Sequence, residues 1–224
     1  MHIDLIREQV ENRSGLPLDL RFNENHSTLI SVKREQGFLK ASVHKMFLEA
    51  PTPVVEALIR YLSNRNKRMS SVLRRYIADA YKDLDYSHRV DPTKIITSGQ
   101  VHDLEAIYNA VNQEYFNEKL NLRVTWYGRP VLSKGQRITF GLYCDPLRLI
   151  KIHRLLDRDL CPEYVISFIV YHEALHHVHP PFVDKQGKSR IHNSQFKEKE
   201  EAFKYFSEAS AWLKDNWDLF FHAA

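Results

Sequence analysis

Apolar positions alternate along some stretches of this chain and step by three and four along others, which predicts short strands mixed with helices. In the first fifty residues the alternating pieces are 18–22, 28–33 and 38–43, and the last two flank Arg34-Glu35-Gln36-Gly37, a hairpin turn by composition. Past Pro51 and Pro53 the spacing becomes helical, with Val55, Leu58 and Leu62 on one face of 54–62, and a second helix is expected over 71–81. The stretch 87–99 holds Pro92 and few apolar residues in its first half, and reads as a linker. Val101, Leu104, Tyr108, Val111 and Tyr115 then mark an amphipathic helix that ends near Phe116. Strands are expected at 122–126, 137–143 and 149–153. The next helix begins at Pro162, followed by Glu163, both suited to a first turn. It runs through Val165, Ile166, Phe168, Ile169 and Val170 to Val178, where Pro180-Pro181 stop it. Being apolar nearly all round, it belongs in the core. One last helix is expected to carry Phe196, Phe203, Phe206, Leu213, Trp217 and Phe220, a stripe that packing explains better than a ligand box.

The pattern is that of an α+β protein without internal repeats. Its 224 residues suffice for one large domain or two modest ones, and the expected division is an N-terminal α+β region over 1–95 and a second domain over 96–224. A chain of this length buries roughly 70% of its unfolded surface, so its core needs neither disulfide nor metal. Hydrophobic residues at 43% and charged residues at 27% exclude wholesale disorder. The two cysteines, Cys144 and Cys161, cannot build a disulfide framework and suggest a reducing compartment. No apolar run nears the ~18 residues of a membrane span, and the first residues lack a secretory apolar core; a cytoplasmic location is expected. The net charge of +4 permits nucleic-acid binding without arguing for it. Arg60, Arg65, Lys67, Arg68, Arg74 and Arg75 fall in a stretch with no acidic residue from 57 to 78. That run can face a phosphate backbone, and a solvated basic helix pair explains it equally well.

The histidines change the picture. His172, His176, His177, His179 and His192 crowd the region around the buried helix, which contains His172-Glu173-Ala174-Leu175-His176. Four residues turn 400° and climb about 6 Å, so His172 and His176 project from one face and can meet one ion at about 2.0–2.1 Å. Glu173, next round the helix, can take a proton from a water on that ion. Two surface histidines on a polar helix would be the plain alternative. The residues preceding His172 are mostly large and apolar, however, and buried imidazoles without partners are costly. A catalytic zinc takes three protein ligands. His192, just ahead of Asn193-Ser194, which suit a helix cap, is the first candidate for the third. Glu198, Glu200 and Glu201 are rivals, although their run of alternating Lys and Glu reads as a solvated face. His177 and His179 have the wrong helical phase and are expected at the rim. Tyr171, Tyr143, His177, His179 and Arg190 stay open as donors to a developing oxyanion, and 149–153 is the strand expected to align a substrate.

Asn112-Gln113-Glu114-Tyr115-Phe116-Asn117-Glu118-Lys119-Leu120, followed by Val124-Thr125-Trp126, resembles the first helix and strand of SprT-like zinc metallopeptidase domains. The HExxH element and the spaced His192-Asn193-Ser194-Gln195-Phe196 continue the resemblance, which covers roughly residues 100–205. Asn193 stands where the family often has Gly, and two cysteines cannot form the zinc ribbon many members carry. The resemblance implies a zincin-like fold with a small antiparallel or mixed sheet beside the HExxH helix. It also implies Zn2+ on His172, His176 and His192, and hydrolysis of peptide bonds in protein substrates with Glu173 as general base. Relatives that cleave proteins crosslinked to DNA extend the expectation to DNA along 60–75. The alternative is a DNA-associated zinc-binding module or scaffold with little or no protease activity.

Overall fold

The alternation near the N-terminus becomes a three-stranded sheet in the computed structural model, which describes residues 3–25, 28–64, 68–130, 138–184 and 186–216. Strands β1 (Leu18–Asn23), β2 (Ile30–Glu35) and β3 (Phe38–His44) lie in the order β1-β3-β2, with β2 and β3 an antiparallel hairpin and β1 parallel to β3. Leu39, Ala41 and Val43 are buried while Lys40 between them is exposed, the period-two signature of a sheet covered on one face. Helices α1 (Ile3–Ser14), α2 (Thr52–Ser63) and α3 (Ser71–Asp83) complete this part. The periodicity of the chain does not announce α1, because only Ile6 and Val10, a single turn apart, are buried on it.

The described chain divides into two units, Met1–Asp83 with Phe182–Arg190, and Leu84–Pro181 with Ile191–Ala224. Residues 84–95, expected in the N-terminal region, are part of the second unit. There the Tyr86 N–H donates to the Pro146 carbonyl at 2.5 Å, and the Arg123 guanidinium reaches the carbonyls of Ser87 and Val90. The stretch read as a linker is therefore fastened down. It holds two 3-10 turns, Ser87–Arg89 and Pro92–Lys94, and the Ile96 N–H then donates to the Thr125 hydroxyl while its carbonyl accepts the Trp126 N–H.

In the second unit, α4 (Leu104–Phe116) starts where the Asp103 carboxylate accepts the N–H groups of Glu105 and Ala106, and it ends at the left-handed Asn117. Asn112 clamps the following turn, its amide exchanging bonds with the backbone of Leu120, whose carbonyl also accepts the Tyr108 hydroxyl. Strands β4 (Arg123–Tyr127), β5 (Gly141–Cys144) and β6 (Leu149–His153) form a sheet in the order β4-β6-β5, parallel on one side of β6 and antiparallel on the other. The sequence places β6 at its observed bounds; β5 is shorter than expected, and Arg137 lies outside the described residues. Helix α5 (Glu163–Val178) runs through the core with Val165, Ile166, Val170 and Ala174 fully buried. Asp157 pins the approach to α4. Its carboxylate accepts the N–H groups of Gln100, Val101 and His102 at 2.6, 3.0 and 3.1 Å. Burial pushes this carboxyl up, but the three donors more than offset that and hold it below the ordinary range.

The single helix expected after His192 is two, α6 (Ser194–Glu201) and α7 (Phe206–Asp215). Two tyrosines account for the break. The Tyr171 hydroxyl donates to the Lys199 carbonyl, and the Lys204 N–H donates to the Tyr115 hydroxyl rather than back along the helix. Phe203, in the turn between, stacks on both rings at 5.2 and 5.3 Å. Trp217 and Phe220 lie outside the described residues. No helix among the described residues is long and apolar enough to cross a membrane.

Candidate metal centre

Helix α5 sets His172 and His176 one turn apart, their ring centroids separated by 5.0 Å. His192 comes from the segment ahead of α6, and that helix is placed by two local features. The Asn193 side chain caps it by accepting the Phe196 N–H at 2.7 Å. Phe196 is fully buried, with its ring 4.4, 4.8 and 5.2 Å from those of His192, His176 and His172. An apolar ring thus backs all three imidazoles.

The side chains of His172, His176 and His192 each present a ligand atom within 4.8 Å of the others, so the three can hold one metal ion. The His192 and His176 Nε2 atoms are 3.4 Å apart, and two ligands at about 2.05 Å around a tetrahedral ion stand about 3.4 Å from each other. The donor set fits a borderline-soft divalent ion. Burial, with the neighbouring His172 and His192, pulls the His176 imidazole down to about 4, and burial foremost lowers His192 as well. Both are neutral at pH 7, the state in which imidazole ligates metal.

Glu173, the next residue round the helix from His172, is 7% exposed and lies against Gly141 of β5. A Cβ on Gly141 would collide with its carboxylate, and would stand 2.7 Å from both its Cγ and the Cγ2 of Ile169. Burial lifts the Glu173 carboxyl to about 7 against the opposing pull of His172 and of the Tyr143 N–H that donates to it. Sequence reasoning passed over Gly141 and Tyr127. The Glu173 charge, after burial, raises the Tyr127 phenol, whose hydroxyl donates to the Thr139 carbonyl.

The strand expected to align a substrate is corrected. Strand β6 lies between β4 and β5, its backbone already paired on both sides, whereas β5 is an edge of the described sheet. The Tyr143 N–H, turned toward Glu173, belongs to that edge. The rim residues separate as well. The Tyr143 hydroxyl lies 2.9 Å from Asp145 Oδ1 and 2.8 Å from His177 Nδ1, in a cluster that Arg148 closes by pairing with Asp145. Tyr171 spends its hydroxyl on Lys199, and His179 lies at the edge of Phe196. Arg190 donates to Asp184 within the first unit. Glu198 and Glu201 are exposed, whereas Glu200 turns inward and its Oε1 lies 2.6 Å from the Nδ1 of His172.

In the basic stretch, Arg60 pairs with Glu56, Arg75 reaches the Asp184 carbonyl and Arg68 is exposed; Arg65 and Lys67 lie outside the described residues. What the geometry assembles is a three-histidine set able to bind a metal ion, beside a buried carboxylate and a strand edge. No protein-family model matches this chain, and neither a curated protein nor a solved structure matches it.

Proposed function

We propose that this chain is a zinc-dependent metallopeptidase that hydrolyses peptide bonds in protein substrates, on a zincin-like fold of the SprT-like kind. The observation that carries the reading is the convergence of His172, His176 and His192 within 4.8 Å, next to a carboxylate buried on the same helix as two of them. Three imidazoles would hold one zinc ion and leave it open to water, as catalytic sites do, whereas structural sites close with four protein ligands. Zinc held there supplies a Lewis acid that polarises a carbonyl and lowers the pKa of water. Glu173 takes the proton from the attacking water and hands it to the leaving amine. The edge of β5 offers backbone groups with which an extended peptide pairs as an added strand. The bare Gly141 on that edge leaves room for Glu173 beneath it. A purely structural metal has no use for such a carboxylate.

Metal analysis of the purified chain, joined to a broad peptide and protein substrate screen, tests this. Zinc near one equivalent is expected, and His192→Ala should lose it. Glu173→Gln should keep the zinc and lose on the order of a hundredfold or more of the hydrolysis. Undiminished proteolysis by that variant would remove Glu173 from the mechanism.

A further inference from the structure

Glu200 sits in a run that reads as solvated surface, Lys197-Glu198-Lys199-Glu200-Glu201, yet it does not behave like its neighbours. It follows Phe196 by four residues and His192 by eight, so the face of α6 that buries Phe196 also turns Glu200 inward. Its side chain is 20% exposed, and its Oε1 lies 2.6 Å from the Nδ1 of His172, the short distance of a charge-assisted bond. A neutral imidazole has one N–H. If Nδ1 donates it to a carboxylate, Nε2 keeps its lone pair, and the ring can turn only about the axis that this bond leaves free. His176 and His192 already oppose each other through Nε2. Nε2 is then the atom all three rings offer.

From this geometry we infer that Glu200 is a positioning residue of the metal centre: it selects the ligating tautomer of His172, fixes the ring and strengthens Nε2 as a donor. The inference rests on the metal reading above and adds a fourth, non-ligating member to it. A carboxylate hydrogen-bonded to a ligating imidazole orients the ring and raises its basicity, and losing it typically costs 10–100-fold in metal affinity. The contact also argues against Glu200 as a ligand itself, since its Oε1 is spent on the Nδ1 of His172, which leaves Nε2 for the ion.

The test uses the full chain as wild type, Glu200→Gln, Glu200→Ala and, as a control on the exposed face, Glu198→Gln. Zinc affinity is measured by competition with a chromophoric chelator, metal-free thermal stability by circular dichroism, and coordination by the d–d spectrum of the cobalt(II) form. Expected is a graded loss: Glu200→Ala about 10–100-fold weaker for zinc, Glu200→Gln intermediate because its amide oxygen still accepts from Nδ1, and Glu198→Gln unchanged. The cobalt bands should keep four-coordinate intensity throughout. Zinc affinity of Glu200→Ala within twofold of wild type overturns the inference while leaving the metal site intact. A change of coordination number in the cobalt spectrum overturns it in favour of direct ligation. Equal destabilisation of the metal-free protein with no graded zinc loss reduces Glu200 to a structural role. A wild-type chain that takes up no zinc overturns the metal reading itself, and this inference with it.

Discussion

The hydrogen that Gly141 carries in place of a side chain decides where Glu173 can sit. Any Cβ there meets the carboxylate, with the Cγ of Glu173 and the Cγ2 of Ile169 both at 2.7 Å, and a buried helix cannot give way by that much at low cost. Gly141→Ala should therefore push the carboxylate off its position and cut hydrolysis about tenfold or more, with zinc content unchanged by metal analysis. Asp157 does a different job at the same scale. Its folded pKa is depressed by three backbone donors, so its contribution is fully present above the unfolded value of about 3.9. That contribution is lost as pH falls through the lower folded value. Asp157→Ala should cost about 1–2 kcal/mol at pH 7, because it removes the charged acceptor of three part-buried N–H groups. Urea unfolding of the variant should also show a flatter pH dependence below about pH 4 than the wild type.

Among the elements, those with one dominant period were legible from the sequence. The unbroken apolar run of α5, the strand β6 and the β2–β3 hairpin lie close to where hydrophobic spacing puts them, because one physical cause, burial of a face or of a whole helix, writes each pattern. The elements that escaped are those fixed by partners distant in sequence. The α6–α7 break depends on the hydroxyls of Tyr115 and Tyr171, and no local signal in residues 194–215 announces it. The edge position of β5 follows from strand order, which spacing does not encode. The site shows the same division. His172, His176 and Glu173 follow from helix geometry alone, and His192 from its cap, whereas Gly141 becomes visible only once β5 lies against α5. The link between the two helices is Phe196. Phe196→Ala should destabilise the chain by about 3–5 kcal/mol, against a smaller loss for Phe196→Leu. Added zinc should recover part of that stability in urea titrations, because the folded state alone assembles the three imidazoles.

On the scale of the whole molecule, the path of the chain matters more than its length. Between His176 and His192 it leaves the second unit, contributes Phe182–Arg190 to the first, and returns. That segment holds the short hairpin β7 (Phe182–Val183) and β8 (Ser189–Arg190), and it is fastened within the first unit. Arg75 donates to the Asp184 carbonyl at 3.4 Å, and the buried Gly187, at φ +75°, sits so that a Cβ would stand 2.7 Å from the Cβ of Ser71. The sixteen-residue step from His176 to His192 therefore contains a segment packed within the first unit. Gly187→Val combines a strained left-handed backbone with a clash on α3, and should release the segment. Trypsin should then cut faster after Lys188 and Arg190 in the metal-free chain. Cleavage at the wild-type rate would show that the left-handed Gly187 and its contact with Ser71 do not hold the hairpin in the first unit.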